Sequence, residues 1–449
     1  MEANFFWASS ARNSPVPGRN KGFIHMKCSP YLSAILSVAC LTGAATAAFA
    51  EIASKDGDKF TVGATVVGEW NDNRDGTRTD KHDAGKLGVG VRFDYAKQFS
   101  WLHVNVAYEP LIRWYLNHDR RETNHEWTHD ALVTVKNEPD QRLHFMIQDN
   151  FKYIDDNNVY SDLDGNERMS LRYGKGMSYD DNAADNRLSG RLKYLLSEKF
   201  FVTGGASWRF LRYENDIASQ YSDEDSLKLT AGIWRQMSST ISLGVSGGYG
   251  WYDQESPVYD EGMEIATLGL SLNWEIVDRL SADFSWHYQH IMYDADELKD
   301  REFPFDFDLN LFYRAGAHSV VNLGYYQRVD QGENYPYASQ RKYCVFASLN
   351  QQHSDRLSTS LRAEYRLGKY SSKDVQWAIS DDEDFEGRAA SRANRKGDDK
   401  TFVARATLSY WVNEDFRITA YYAWQNVNSE VNRSYVRNTV GARLTYNFY

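Results

Sequence analysis

Ten basic and three acidic side chains are the part of this sequence best suited to chemistry on solutes. Arg187, Arg191 and Lys193 lie at even spacing near the middle of the chain, with Arg209 on the following segment. Arg362, Arg366, Arg405, Arg417, Arg437 and Arg443 repeat the pattern towards the end, and Asp283, Asp306 and Asp308 fall between the two groups. A guanidinium presents a planar fork of donors that matches carboxylate and phosphate. Rows of such groups along a water-filled passage would engage anionic solutes, and an opposed acidic row would set a transverse field that tunes which solutes pass. The bland reading is that arginines and acids pair across a hydrated lumen and support its shape. The sequence leaves both open.

Covalent chemistry finds less support. Asp283, Ser285 and His287 share one strand face at two-residue spacing. Side chains that point the same way do not build a nucleophile, base and orienter. The segment Asp162-Leu163-Asp164-Gly165-Asn166-Glu167 matches part of a calcium loop but lacks the full ligand pattern. His103, His129 and His144 stand apart, without metal-ligand spacing. We therefore expect no enzyme, no metal and no cofactor.

The elements that carry these charges are strands. Leu87, Val89, Val91, Phe93 and Tyr95 alternate with polar residues, as do Leu143, Phe145 and Ile147, and Ala282, Phe284, Trp286 and Tyr288. The cleanest run places Phe303, Phe305, Phe307, Leu309, Leu311 and Tyr313 on one face and Asp306, Asp308 and Asn310 on the other. Leu357 to Tyr365 and Phe402 to Tyr410 repeat it. A helix would scatter these residues around its circumference, whereas a strand sorts them. The longer runs reach roughly 9–11 residues, the length of a tilted strand crossing a bilayer.

Short connections recur about every 40 residues. They are Lys97-Gln98-Phe99, Asn137-Glu138-Pro139-Asp140, Ser197-Glu198-Lys199, Gln236-Met237-Ser238-Ser239, Val277-Asp278-Arg279, Ala315-Gly316-Ala317, His353-Ser354-Asp355 and Val412-Asn413-Glu414-Asp415. Longer polar stretches such as Asn71–Ala84, Asn215–Asp225 and Asp294–Arg301 separate them. Eight short turns between hairpins imply an all-β, transmembrane, antiparallel up-and-down barrel of about 18 strands, with short periplasmic turns and long extracellular loops. A propeller with the same period would need turns every 8–12 residues, and these runs are longer. Residues 155–185, with a weak strand-like piece at Met169–Tyr173, and residues 370–399, with Asp381-Asp382-Glu383-Asp384 ahead of a basic run, read as long loops. The bland reading of both is a solvated, mobile loop, and the alternative for the first is that it folds inward and narrows the pore.

The N-terminus reads as an address. Met26-Lys27 offers a second start, an apolar run follows, and Ala48-Phe49-Ala50 matches a signal-peptidase site. We assign residues 1–25 to a misplaced upstream extension, 26–50 to a signal peptide and 51–449 to the barrel. Residues 1–50 hold four basic residues and one acidic, so their removal moves the net charge from -11 to -14. An acidic exported chain excludes nucleic acid as the expected partner. Cys344 is then the one remaining cysteine, which excludes an internal disulfide framework. Mean hydropathy is -0.63, yet 14% of residues are aromatic, a tension that alternating lipid-facing and lumen-facing positions resolve. Trp70, Tyr108, Trp234, Trp251, Trp274, Tyr325, Tyr410 and Trp424 fall near strand ends, where amphipathic rings suit the membrane interfaces.

Val440, Ala442, Leu444, Tyr446 and Phe448 alternate to the end of the chain, with Tyr449 one residue beyond. Such a closing strand removes the free edge that lipid cannot tolerate, and its terminal aromatic points to the barrel assembly machinery and outer-membrane lipid as partners. The signal peptide, strand–turn–strand units such as Leu195-Leu196-Ser197-Glu198-Lys199-Phe200-Phe201, and the ending Leu444-Thr445-Tyr446-Asn447-Phe448 together resemble outer-membrane β-barrel porins of Gram-negative bacteria. Some relatives of that kind are encoded beside exopolysaccharide synthesis and export genes. The resemblance implies a channel, with polysaccharide export as its task and periplasmic polysaccharide-export proteins as partners. It is one of pattern over the whole mature chain and transfers no functional residue.

Overall fold

A strand with one apolar and one polar face needs lipid or core on the first and water on the second, and eighteen of them meet both demands by closing on themselves. The computed structural model describes residues 58–73, 81, 83–116, 125–137, 142–154, 183–213, 224–255, 260–294, 299–331, 339–370, 397–430 and 434–448. The proposed extension and signal peptide, the calcium-like segment, Met169–Tyr173, the acidic run at 381–384 and Tyr449 lie outside the described residues.

The strands are β1 Asp58–Asn71, β2 Ala84–Gln98, β3 Leu102–Tyr115, β4 His125–Asn137, β5 Leu143–Ile154 and β6 Ala183–Leu195. They continue as β7 Phe200–Tyr213, β8 Glu224–Gln236, β9 Ile241–Glu255, β10 Asp260–Val277, β11 Leu280–Tyr293 and β12 Arg301–Arg314. The last six are β13 Ser319–Gln331, β14 Ser339–Gln352, β15 Leu357–Tyr370, β16 Gly397–Trp411, β17 Phe416–Ser429 and β18 Tyr435–Asn447. Each strand pairs antiparallel with the next, and β1 pairs with β18 from Gly63↔Asn447 to Asn71↔Thr439. The fold is a closed, all-antiparallel, up-and-down β-barrel. With strands about 4.8 Å apart and tilted about 40°, eighteen of them enclose a ring roughly 35 Å across, backbone to backbone.

The strands run to 12–18 residues, longer than the 9–11 expected from the apolar runs. Ladder pairing continues past the apolar stretch because each extension finds a partner, while only the middle need match hydrocarbon. Among the described residues one rim carries seven of the eight expected short connections, including Leu196–Lys199, Met237–Thr240, His353–Arg356 and Val412–Asp415, and the one at 138–140 lies outside those residues. The four turns named are built alike: Ser197 Oγ, Ser238 Oγ, Ser354 Oγ and Asn413 Oδ1 each accept from the backbone N–H three residues on, the local bond that favours these residues in turns. Gly316 takes the same place in its turn with φ +93°, a conformation glycine reaches at little cost. The opposite rim carries the longer connections.

The faces sort as the alternation requires. Leu87, Val89 and Val91, then Leu268 and Leu270, then Leu361 and Leu408 are exposed on the outside. Leu87 sits level with Gly68 and Trp114, and Val66 with Val89 and Leu444, so the apolar face is continuous around the wall. The inner face holds the charged and small residues.

Two expectations need correction. Phe303 leaves the row expected at 303–313. Pairing between β11 and β12 shifts between His287 and Gln289, so that Tyr288 alone faces Pro304 and Phe305. Proline has no N–H for a ladder, and the resulting bulge turns the strand. Phe303 is therefore only 4% exposed, packed with Tyr252, Met263, Ile265, Ile291 and Val329, while Phe305 stays outside at 54%. Trp234 is the second: it shares the inner face with Lys228, Thr230 and Gly232 rather than joining a membrane interface. Its neighbours Ile233 and Arg235 take the outer positions because the period is strictly two.

Candidate functional site: the inner wall

Arg187, Arg191 and Lys193 project from β6 and Arg209 from β7, on the face opposite Leu188 and Leu192. Arg362 and Arg366 come from β15, Arg405 from β16, Arg417 from β17, and Arg437 and Arg443 from β18. Asp283 lies on β11, and Asp306 and Asp308 on β12, level with His287 and Ser285. Arg187, Arg191, Lys193, Asp306 and Asp308 all border one cavity of about 1150 Å³. The other predicted residues do not.

The six later arginines do not form one basic patch. Glu364 lies between Arg362 and Arg366 on the same strand face and pairs with both, at 3.1 Å to Arg362. Arg443 pairs with Glu109 of β3, across the seam where the barrel closes. Arg437 is 4% exposed and donates through Nε to the Asn73 carbonyl at 2.8 Å, tying β18 to the chain after β1. Arg417 sits near the short-turn rim, 5.1 Å over the Trp411 ring. Arg405 is opposite Arg362 at mid-height. Arg437 and Arg443 alone are about 20 Å apart along their strand, so these residues span the wall rather than gather on it.

The cavity joins a basic wall to an acidic one. Lys136, Arg187, Arg191, Lys193 and Lys228 come from β4 to β8, and Asp306, Asp308 and Asp330 from β12 and β13. Lys136, Lys228, Arg328 and Asp330 were missed in the sequence. Their signal was present in the even positions of Leu132–Lys136, Glu224–Lys228 and Tyr326–Asp330, short runs beside loops.

Asp330 organises the narrow side. Arg328 Nε is 3.7 Å away, Lys342 Nζ 3.6 Å and Lys228 Nζ 3.9 Å, and the Tyr252 hydroxyl donates at 3.4 Å. Lys228 is on β8 and Asp330 on β13. On a circular ring of this size, strands five apart would be roughly 25 Å from each other, beyond the reach of the two side chains. The wall therefore folds inward at β9–β13, where the bulge and the apolar cluster around Phe303 lie.

A second network braces the far wall at the long-loop end. Glu126 accepts from Lys86 Nζ at 2.7 Å, Arg113 at 3.0 Å and Tyr115 Oη at 2.6 Å, all in a buried setting. The Tyr421 hydroxyl donates to Glu69. These charges are consumed by one another.

The strand-face trio does not assemble as a catalytic unit. His287 Nε2 lies 2.9 Å from Ser246 Oγ of β9, not from Ser285, and Asp283 accepts from Asn273 Nδ2 at 2.8 Å. Among the described residues no carboxylate hydrogen-bonds His287, and a serine in a continuous ladder has its neighbouring N–H groups already paired, which leaves no oxyanion hole. Among the same residues no group of three or more His, Cys, Asp or Glu is arranged to hold a metal ion.

No family model and no curated protein matches the chain. Solved structures similar to it include the siderophore receptor PirA from Acinetobacter baumannii, 7% identical over 88% of this chain and 81% of that one, with a TM-score of 0.43. OpdQ from Pseudomonas aeruginosa is 11% identical over 87% and 98%, with a TM-score of 0.41. A bacterial polysaccharide outer membrane secretin is 9% identical over 86% and 98%, with a TM-score of 0.35. The fold assignment rests on this chain's own strand order and closure, and these likenesses add no argument about solute or activity.

Proposed function

We propose that this protein is an outer-membrane channel of the porin kind, passing polar or anionic solutes, with acidic oligo- or exopolysaccharide as the cargo of interest. The observation that carries the reading is the pairing of a continuous apolar outer face with a charged, water-accessible inner face around a cavity of about 1150 Å³. Hydrocarbon satisfies the first face and a hydrated pore the second. A ring of eighteen strands is wide enough to leave an aqueous passage. In this reading the short-turn rim faces the periplasm and the long-loop rim the exterior. Outer-membrane lipid, the barrel assembly machinery and periplasmic polysaccharide-export proteins are its partners, and no catalytic step is required of it.

The test is planar-bilayer conductance of the refolded mature chain with and without acidic oligosaccharides. Steady current that the sugars block supports the channel. A folded barrel that carries no current overturns it in favour of a second reading, a non-conducting barrel serving adhesion or structure. The inward fold that brings Lys228 and Tyr252 to Asp330 is the observation that favours this alternative.

A further inference from the structure

Asp149 sets a carboxylate within the apolar band of the outer wall. Its strand neighbours Gln148 and Asn150 border the inner cavity, so Asp149 shares the outer face of β5 with Ile147 and Phe151. It is level with Val133 of β4 and Leu188 of β6, and Leu188 is 41% exposed to the outside. Asn186, two residues from Leu188 on the same face, lies near enough to interact with the carboxylate. Among the described residues no cation stands within ion-pair distance of Asp149, and the Oδ1 atoms of Asp149 and Asn186 accept no hydrogen bond. An ionisable group at membrane depth is costly and is kept where it meets another polar group.

The wall beside it is built for close approach. Level with Ile147 are Gly190 of β6 and Ala206 of β7, and Gly204 and Ala231 face each other on the next rung of that surface. An added Cβ at Gly190 would meet nothing within 4 Å. Small residues of this kind let two membrane-embedded surfaces pack backbone to backbone, and polar side chains then join them. On the other side of Asp149 the rings of Phe93, Tyr108, His129 and Tyr153 adjoin in series across β2 to β5, each centroid 5.9–6.5 Å from the next. Tyr108 Oη and His129 Nδ1 share a hydrogen bond at 2.9 Å. Aromatic residues are enriched in the cores of protein contacts.

We propose that the outer face of β4–β7 around Asp149 and Asn186 is the contact between two copies of this chain lying side by side in the membrane. A second copy is the partner that fits. Rotation about the membrane normal returns every group at its own depth. An asparagine amide both donates and accepts, so the Asp149 and Asn186 side chains, turned outward, complete themselves against the same two residues of the other copy. Gly190 and Ala206 give the room for that approach. The proposal rests on the membrane-spanning reading above and adds the surface through which the barrel associates.

Cysteine cross-linking of the folded barrel in lipid vesicles, in a Cys344→Ser background, tests it. Leu188→Cys, level with Asp149, gives a cross-linked dimer. Val345→Cys, 55% exposed on β14 and eight strands around the ring, does not. Adding Asp149→Leu and Asn186→Leu lowers the Leu188→Cys cross-linked fraction at high dilution in lipid, as expected for association about tenfold weaker, the scale of a pair of hydrogen bonds across a membrane contact. If that variant fails to fold, as judged by heat-modifiable gel migration, Gly190→Phe carries the same arm by holding the copies apart. Cross-linking at Leu188→Cys no greater than at Val345→Cys, or a dimer that survives these substitutions, overturns the contact. So does a cross-link in native outer membranes to a different protein in place of a second copy. Association is read without current, so a barrel that dimerises but does not conduct sinks only the channel. One that conducts as a monomer sinks only the contact.

Discussion

The side-chain amide of Gln289 takes the place of a missing strand for Val329. Its Nε2 donates to the Val329 carbonyl at 3.3 Å, and its Oε1 accepts from the Val329 N–H at 2.9 Å. Gln289 is on β11 and Val329 on β13. The ladder of the intervening β12 stops at Phe307↔Gln327, because the Pro304 bulge carries Arg301–Asp306 out of register. Both residues are buried, so water does not reach the two backbone groups that this amide satisfies.

Replacing Gln289 with leucine therefore strands a buried donor and acceptor, at a cost of about 2 kcal/mol. Urea unfolding of the refolded barrel in lipid vesicles reads this as a lowered midpoint. An unchanged midpoint would show that the β12–β13 seam holds without the amide.

Glu126 gathers Lys86, Arg113 and Tyr115. Glu126→Gln removes the carboxylate that both buried cations contact directly and leaves Glu69 as a nearby counter-charge, a loss of about 3 kcal/mol. We expect the variant to fold poorly, with loss of the heat-modifiable gel shift. Near-native stability would mean that water enters the long-loop end of β2–β4.

Asp330 is the hub of the inward fold. Asp330→Asn releases Lys228, Arg328 and Lys342 from their shared partner. Single-channel recordings should show higher conductance and a reversal potential shifted towards anion selectivity. Conductance at the wild-type level would place the narrowest point elsewhere.

Trp234 and Trp274 end adjacent stretches of wall but face opposite ways. Cysteine at each position, in a Cys344→Ser background, separates them: Trp234→Cys reacts with a charged aqueous maleimide and Trp274→Cys is shielded in lipid vesicles. The reverse pattern would invert the assigned faces of β8 and β10. Cys344 itself, 1% exposed beside Glu364 at 3.5 Å, should react only after denaturation.

Much of the site was legible residue by residue. Arg187, Arg191 and Lys193 could be placed on one face, and Asp306 and Asp308 on another, because alternation is a property of each strand alone. Glu364 was equally visible, two residues from both Arg362 and Arg366, and it pairs with both. Phe303 and Trp234 went astray for different reasons. Phe303 obeys the period until a bulge breaks it, and Trp234 is a lumen residue whose type suggested a membrane interface.

By itself the sequence determined about eighteen strands, most of their faces, the short turns that link them and the closing strand, since backbone stereochemistry and turn side chains act over a few residues. The tertiary structure alone decided which charges meet. Arg443 reaches Glu109 only because β18 closes on β1, and Lys228 reaches Asp330 only because the wall folds inward. Both depend on register and curvature summed around the ring, and no local pattern encodes that sum.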